Sequence, residues 1–343
     1  MDREIEPSPT RTTPPMRYGR IGKRPYSSTN SSLDRMRMSI NESENTCPPD
    51  LSPVGSREQQ HLVTVIGRGN SGTRAASETL SRSGVYMGQP LNSSWDLVPP
   101  DDFYEACRVM GKHVAYLGNL RWDFSKLHSM PIDPEFTTLV TSYLSSVLDS
   151  DSQWRGWKLP ETTLVFPWIV RLFPEMKYIF WLRDPRDSIL GAHITDDLAL
   201  FGVDSEHTED IRVRRAISWK YQADLVKATP KPRNWHIVRF EDFVIDQAKT
   251  LNLLEQYLGI PLVRIPVRTA AVGRWRTDDG IHHFDFLTPD LVEHKYVDTS
   301  EHVRQKPDIG LTEKLQARLH RQFTGTSAKL QKAVMKLSNP RNK

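Results

Sequence analysis

Residues 62–84, reading LVTVIGRGNSGTRAASETLSRSG, restrict the possible folds of this chain more than any other stretch. Leu62 to Ile66 is a short apolar run rich in β-branched residues, the pattern of a buried parallel strand. Gly67-Arg68-Gly69-Asn70-Ser71-Gly72-Thr73-Arg74 follows, and then a helix-forming segment from Ala75 to Ser83 that stops at Gly84. Strand, glycine-rich turn and helix in that order bring backbone N–H groups and a helix N-terminus around one point, which suits phosphate or a similar oxyanion. Gly67 and Gly72 have the spacing of the G-x-x-x-x-G-K-[ST] phosphate loop. Thr73 and Arg74, however, stand in its Lys and Ser/Thr positions. The expectation is an anion cradle unlike that of an ordinary NTPase; the alternative is a plain tight turn.

The rest of the chain supplies strands and helices in alternation. Val85 to Met87 reads as a second short strand, followed by the loop from Gly88 to Asp96. Helical spacing is found over 101–110, over 133–148 with Pro134 near its start, and from Thr162 to Phe173. Tyr178 to Leu182 (YIFWL) is the clearest buried strand after the first and runs straight into Arg183-Asp184-Pro185-Arg186-Asp187-Ser188, with a helix expected from there. Helical spacing returns over 204–227. His236 to Phe240 is a third strand ending in Glu241-Asp242, and Thr250 to Leu258 is an amphipathic helix closed by Gly259. This alternation predicts an α/β fold with a central, mostly parallel sheet flanked by helices, occupying residues 58–300. Residues 1–57, rich in Pro, Ser, Thr, Asn and Arg, read as a disordered arm, and 301–343 as a basic helical tail.

Composition excludes several classes. No apolar run approaches the roughly 20 residues of a membrane-crossing helix, and the N-terminus has no apolar signal core. Two cysteines, Cys47 and Cys107, are too few for a disulfide framework or a metal site. A cytoplasmic, reducing location is the expectation, and the sequons at Asn30, Asn41 and Asn92 then carry no weight. A formal charge of +4 is too mild to signal a nucleic-acid partner, though it suits a polyanionic small molecule.

In an open parallel sheet, ligands bind at the carboxyl ends of the strands. Three of the strands here end in GRGNSGTR, RDPRDS and EDF, so Arg183 and Arg186 would face the same crevice as the glycine turn. A guanidinium offers a fork of donors matched to phosphate oxygens; a surface salt-bridge cluster is the alternative for RDPRD. Lys158 follows Trp154 and Trp157 and precedes Pro160, a setting that marks it out from an ordinary surface lysine.

Four features in this order resemble the sulfotransferases that use 3′-phosphoadenosine 5′-phosphosulfate (PAPS). GRGNSGTR after a strand is similar to that family's 5′-phosphosulfate loop, and YIFWLRDPRDSILG to its 3′-phosphate strand, loop and helix. HIVRFEDFV with the helix ending Tyr257-Leu258-Gly259 is similar to its late strand and helix. Residues 268–276, RTAAVGRWR, have the spacing of its closing R-K-G-x-x-G-x-W-K segment. The resemblance covers roughly residues 60 to 280 and implies a P-loop-like three-layer fold. There are departures: Asn70 stands where soluble members have Lys, Gly191 where the family has Ser, Thr269 for Lys and Ala270 for Gly.

The resemblance implies transfer of a sulfuryl group from PAPS, leaving adenosine 3′,5′-bisphosphate, with no metal required. Backbone N–H groups from Gly69 through Asn70, Ser71 and Gly72 to Thr73, the Ser71 and Thr73 hydroxyls, and Arg68 or Arg74 would hold the 5′-phosphosulfate. Arg183, Ser188, Arg268 and Arg274 would hold the 3′-phosphate, and Lys158 would meet the sulfuryl or bridging oxygen. The general base is expected to be Asp96, then His193, then Glu161. Trp95, Phe103, Trp122 and Trp168 are candidates to line an acceptor pocket for a small molecule or carbohydrate, with core packing the alternative. An ATP/Mg²⁺ kinase of small molecules and a catalytically silent nucleotide-binding scaffold remain the rival readings. The acceptor and the oligomeric state are left open by the sequence.

Overall fold

The computed structural model describes residues 55–296. The arm expected over 1–57, apart from its last three residues, and the tail over 301–343 lie outside the described residues.

Four strands form one parallel sheet, and a two-stranded antiparallel ribbon stands apart from it. In chain order the main elements are β1 (Leu62–Ile66), α1 (Thr73–Arg82), α2 (Asp101–Gly111), the ribbon strands β2 (Ala115–Tyr116) and β3 (Trp122–Asp123), and α3 (Pro134–Tyr143). They continue with β4 (Arg155–Lys158), α4 (Phe166–Leu172), β5 (Lys177–Leu182), α5 (Ile211–Ala228), β6 (Trp235–Arg239) and α6 (Gln247–Leu258). The sheet order is β4-β1-β5-β6. Val65 pairs with Lys158, Ile66 with Phe180, and Leu182 with Arg239, so all four carboxyl ends emerge at one edge.

The period-2 geometry of a strand sends alternate side chains to opposite faces, and β1 shows it. Leu62 and Ile66 join one core with residues of α2, α3, α4 and α5, whereas Val63 and Val65 join a second with Ala76 and Leu80 of α1 and Leu254 and Leu258 of α6. Both faces are therefore covered, which is why β1 reads as an unbroken apolar run. β5 divides the same way, with Tyr178 in the first core and Ile179 and Trp181 in the second. Each such side chain contributes about 1.5–3 kcal/mol by burial, so the frame carrying the loops is stiff.

The three strands expected at β1, β5 and β6 are present, within a residue of the expected ends. The segment 85–87 is no strand: it contributes a single parallel bridge between Tyr86 and Arg155. The fourth strand is β4, whose polar RGWK has no strand signature; Gly156 is needed there because a Cβ would collide with the carbonyl oxygen of Val63. The helix expected after Arg183 lasts only from Pro185 to Ser188. His193 is consequently not on a helix but is the cap of a 3-10 turn, Ile194–Asp196, its ring accepting from the Thr195 backbone N–H. The helical reading from residue 204 also began too early. Asp210 caps α5 by accepting from the N–H groups of Arg212 and Val213 at 2.7 and 3.2 Å, and this fixes its start at Ile211. Asp133 caps α3 ahead of Pro134, and α6 ends at Gly259 with φ +83°, a left-handed stop that favours glycine.

Candidate active site

The glycine loop leaves β1 and turns back into α1 over Gly67–Gly72. Its first N–H, from Gly67, donates to Thr163 Oγ1 at 3.0 Å. Asn70 at φ +64° and Gly72 at φ +92° carry the left-handed steps of the turn. Gly72 offers no side chain to cap α1; the Ala75 N–H donates to the Gly72 carbonyl at 2.9 Å, and the N–H groups of Thr73 and Arg74 face an anion uncapped. Ser71 is buried, and its hydroxyl has no partner. Gly69 lies flat beneath the His193 imidazole, where any Cβ would strike the ring.

The two arginines of the loop differ in what they face. Arg68 turns inward: its guanidinium pairs with Asp196 and donates to the carbonyls of Gly69 at 3.0 Å and Ser188 at 3.1 Å. Burial pulls its pKa down, against the pull of Asp196. Arg74 is exposed and makes no ion pair among the described residues. Its charge acts on the nearby Lys158 ammonium.

Asn70 and Gly191, two of the four departures from the family pattern, are one structural feature. The Asn70 amide lies directly over Gly191, its atoms 2.7–2.9 Å from where a Cβ would sit, and Nδ2 donates to the Ala192 carbonyl at 2.9 Å. A serine at 191 has no room beneath this side chain.

Arg183 gathers the three remaining motifs. One guanidinium nitrogen donates to the Asn70 carbonyl at 2.9 Å and the other to the Ala271 carbonyl at 2.5 Å, while the plane stacks on Phe240 at 4.4 Å. Asp187, fully buried, pairs with Arg183 at 3.4 Å and accepts from the N–H groups of Gly273 at 2.7 Å and Trp275 at 2.9 Å. The closing segment is thus fastened to the β5 loop. Ser188 is buried with a partnerless hydroxyl, and Nε of both Arg68 and Arg183 is also without a partner. Arg268 and Arg274 are exposed on the same closing segment. Burial lowers the Arg183 pKa, and the Arg274 charge adds to that effect.

At the end of β4 the structure brings together the residues expected to react. The Lys158 ammonium pairs with Asp96 and donates to the Ser94 carbonyl at 2.7 Å. Burial lowers its pKa, while Asp96 holds it up. Glu161 lies one turn further along, 1% exposed. Burial chiefly pushes its pKa up to about 7, with the Asp96 charge adding to it and its own backbone N–H, Lys158 and Tyr104 opposing. Glu161 Oε1 is 3.9 Å from His193 Nδ1. Burial and the charges of Arg68 and Lys158 push the imidazole down to about 4, so His193 is neutral at pH 7. Since Nδ1 accepts from the Thr195 N–H at 3.3 Å, the ring proton sits on Nε2. Tyr104 completes this wall, its pKa raised by burial and by the charges of Glu161 and Asp96.

Other expectations fare differently. Phe103, Trp122 and Trp168 are buried in the main core; Trp95, at φ +59° in the Asp96 loop, is half-buried. Thr73 is buried at the first turn of α1. Sequence reasoning passed over Asp187, whose charge balances Arg183, although the i, i+4 spacing of the two was visible. It also passed over Asp196, Asn92 and Tyr296. Tyr296 ties down the β5 and β6 loops together: its hydroxyl donates to Glu241 Oε2 at 3.0 Å and its carbonyl accepts from Arg186 at 2.7 Å. Glu241 in turn accepts from the Asp184 N–H at 2.9 Å.

A parallel α/β sheet with an uncapped helix start, ringed by arginines and partnerless buried hydroxyls, defines an anion-handling transferase site. The sulfotransferase family model matches residues 64–264, more than half of the chain, and the protein belongs to that family of enzymes. Among solved structures, the chain is similar to the sulfotransferase domain of the Synechococcus PCC 7002 olefin synthase, at 14% identity, 70% coverage of this chain, 95% of the other, and a TM-score of 0.43. It is also similar to the sulfotransferase domain from the curacin biosynthetic pathway (13%, 68% and 97%, 0.42) and to a sulfotransferase from Alicyclobacillus acidocaldarius (14%, 68% and 90%, 0.37). At these scores the likenesses say nothing about donor or acceptor. A search of curated proteins gives no match. Among the described residues there is no cluster of metal-ligating side chains and no helix long and apolar enough to cross a membrane.

Proposed function

We propose that the protein transfers a sulfuryl group from 3′-phosphoadenosine 5′-phosphosulfate to a hydroxyl or amine of a small-molecule or carbohydrate acceptor. The observation that carries this reading is the set of buried, partnerless donors around the glycine loop. Ser71 Oγ, Ser188 Oγ and the Nε groups of Arg68 and Arg183 are orphaned, a costly state in a folded chain unless a ligand satisfies them. Such donors fit an anion with several oxygens.

When bound, PAPS would supply the sulfuryl group and a bisphosphate leaving group. The chain's part is to bind, neutralise and accept a proton. The N–H groups of Gly69, Asn70, Gly72 and Thr73 and the Ser71 hydroxyl hold the 5′ end, the Ser71 N–H being taken by the Arg68 carbonyl, and Ser188 with Arg183, Arg268 and Arg274 holds the 3′ end. Arg74 and Lys158 stabilise charge at the transferring group. Arg74 takes the role rather than Arg68, whose charge Asp196 already neutralises. Glu161 is the base. Its carboxyl is raised to about 7, where a proton acceptor works best, and it pairs with no lysine or arginine among the described residues. Asp96, the first expectation, is instead paired with Lys158. His193, neutral with its proton on Nε2, offers a donor and not a base.

Metal-free calorimetric titration of adenosine 3′,5′-bisphosphate tests the donor. Wild type should bind at micromolar concentrations. Ser188→Ala should weaken binding about tenfold or more, the worth of a hydrogen bond to a charged group. Silence without metal, with binding of ATP and Mg²⁺ instead, would replace this reading with a kinase. Binding without turnover on any acceptor would leave a nucleotide-binding scaffold.

A further inference from the structure

The loop before Leu97 contains an arrangement that donor binding does not require. Asn92 sits at its hub: Oδ1 accepts from the N–H groups of Ser94 at 2.8 Å and Asp96 at 3.0 Å, and Nδ2 donates to Asp96 Oδ2 at 3.1 Å. The other Asp96 oxygen holds the Lys158 ammonium, which also donates to the Ser94 carbonyl. The loop is pinned from behind, because Ser77 of α1 donates to the Trp95 carbonyl at 2.9 Å. Asn92 begins the sequon Asn92-Ser93-Ser94, yet both ends of its amide are used inside the loop.

We propose that Asn92 and Asp96 form a clasp that holds Lys158 charged and aimed for the sulfuryl transfer, with Asp96 a positioning residue rather than the proton acceptor. The assignment of Lys158 to the sulfuryl group rests on the proposed function; the clasp itself rests on the geometry. An ammonium has three donors. Asp96 and Ser94 take two and fix the direction of the stem, so one N–H remains for an anionic oxygen. The need for a clasp follows from the surroundings. Lys158 is 2% exposed, which favours its neutral form. From the elements packed around it, Asp96 and Glu161 favour the charged form and Arg74 opposes it. Glu161 loses its own charge as pH falls through about 7, and it is Asp96 that bonds the ammonium directly. Through Ser77 the clasp is bolted to α1, the helix whose N-terminus faces the donor anion, so Lys158 and the glycine loop are held in one register.

The test has two arms. In the first, protein carrying ¹³C-labelled lysine is titrated by NMR, the Lys158 Cε signal being the one missing from Lys158→Arg. Asp96→Asn should move that titration to lower pH, Asn92→Ala should move it less in the same direction, and Asp96→Glu should stay near wild type. An unchanged titration in Asp96→Asn would overturn the clasp whether or not the protein uses PAPS. In the second arm, sulfuryl transfer by Asp96→Asn should fall further at pH 9 than at pH 7, because loss of the opposite charge lets the ammonium deprotonate at lower pH. An equal loss at both pH values, with Asp96→Glu no better, would assign Asp96 to proton transfer and overturn the positioning role. Failure of wild type to bind adenosine 3′,5′-bisphosphate would count against the donor alone.

Discussion

Glu161→Gln should make the protein more stable at alkaline pH while removing its activity. The carboxyl is raised from 4.5 to about 7, chiefly by burial. For an acid raised in this way, the unfolded chain ionises first as pH increases, and the folded protein loses stability between pH 4.5 and 7. Above pH 7 the loss is complete. Two and a half pH units at about 1.4 kcal/mol each amount to roughly 3 kcal/mol. Glutamine has no such term, and the cost of burying its amide is the same at every pH. The informative quantity is therefore the change in the difference between variant and wild type. From pH 5 to pH 8 it should grow in favour of the variant by about 2–3 kcal/mol, or roughly 5–10 °C in Tm for a domain of this size. Urea or thermal unfolding of both proteins at the two pH values measures it. In the same preparations wild-type kcat/KM should rise with pH through about 7, and the variant should lose about 100-fold or more. A stability difference that stays constant from pH 5 to pH 8 would refute the raised carboxyl and, with it, the case for Glu161 as base.

Three other perturbations follow from distances already given. Gly191→Ser, which restores the family residue, should lower affinity for adenosine 3′,5′-bisphosphate by displacing Asn70, and Asn70→Gly in the same chain should recover it; additive effects in calorimetry would refute the coupling. Asp187→Ala leaves Arg183 buried without its carboxylate and frees two N–H groups, so denaturant unfolding should show a loss of about 3–5 kcal/mol and limited proteolysis should cut near residues 268–276. Gly69→Ala forces a methyl group against the His193 ring, an overpacking cost of about 1–3 kcal/mol. Transfer should fall far more than stability, and a fully active Gly69→Ala would place His193 elsewhere.

Much of the fold was legible because β1, β5 and β6 are marked by apolar or β-branched runs leading into polar loops. β4 was not, since Arg155 and Lys158 are polar ends used by neighbours, and Gly156 is there to admit the Val63 backbone rather than to pack a side chain. The helix expected through His193 failed because Gly191 and the capping of Thr195 by His193 compete with helix propagation, a tertiary outcome that local spacing does not show. At the site, the sequence identified Asp96, Lys158, His193 and Glu161 as a set, and the structure brings all four to one end of the sheet. Sequence reasoning ranked the bases Asp96, His193, Glu161, without sight of the Asp96–Lys158 pair, because which carboxylate meets the lysine depends on loops that come together only in the fold. Tyr296 lies beyond the family match at 64–264, in a stretch with no motif to recommend it.

The interlock of Asn70 with Gly191 also constrains history. From an ancestor with serine at 191, asparagine at 70 would have met a filled space, whereas loss of the serine side chain first would have opened a hollow that asparagine could later occupy. With Asn70 bonded to the Ala192 carbonyl, a serine at 191 becomes acceptable once residue 70 has been shortened, so single changes at the two positions are tolerated in one order and not in the other.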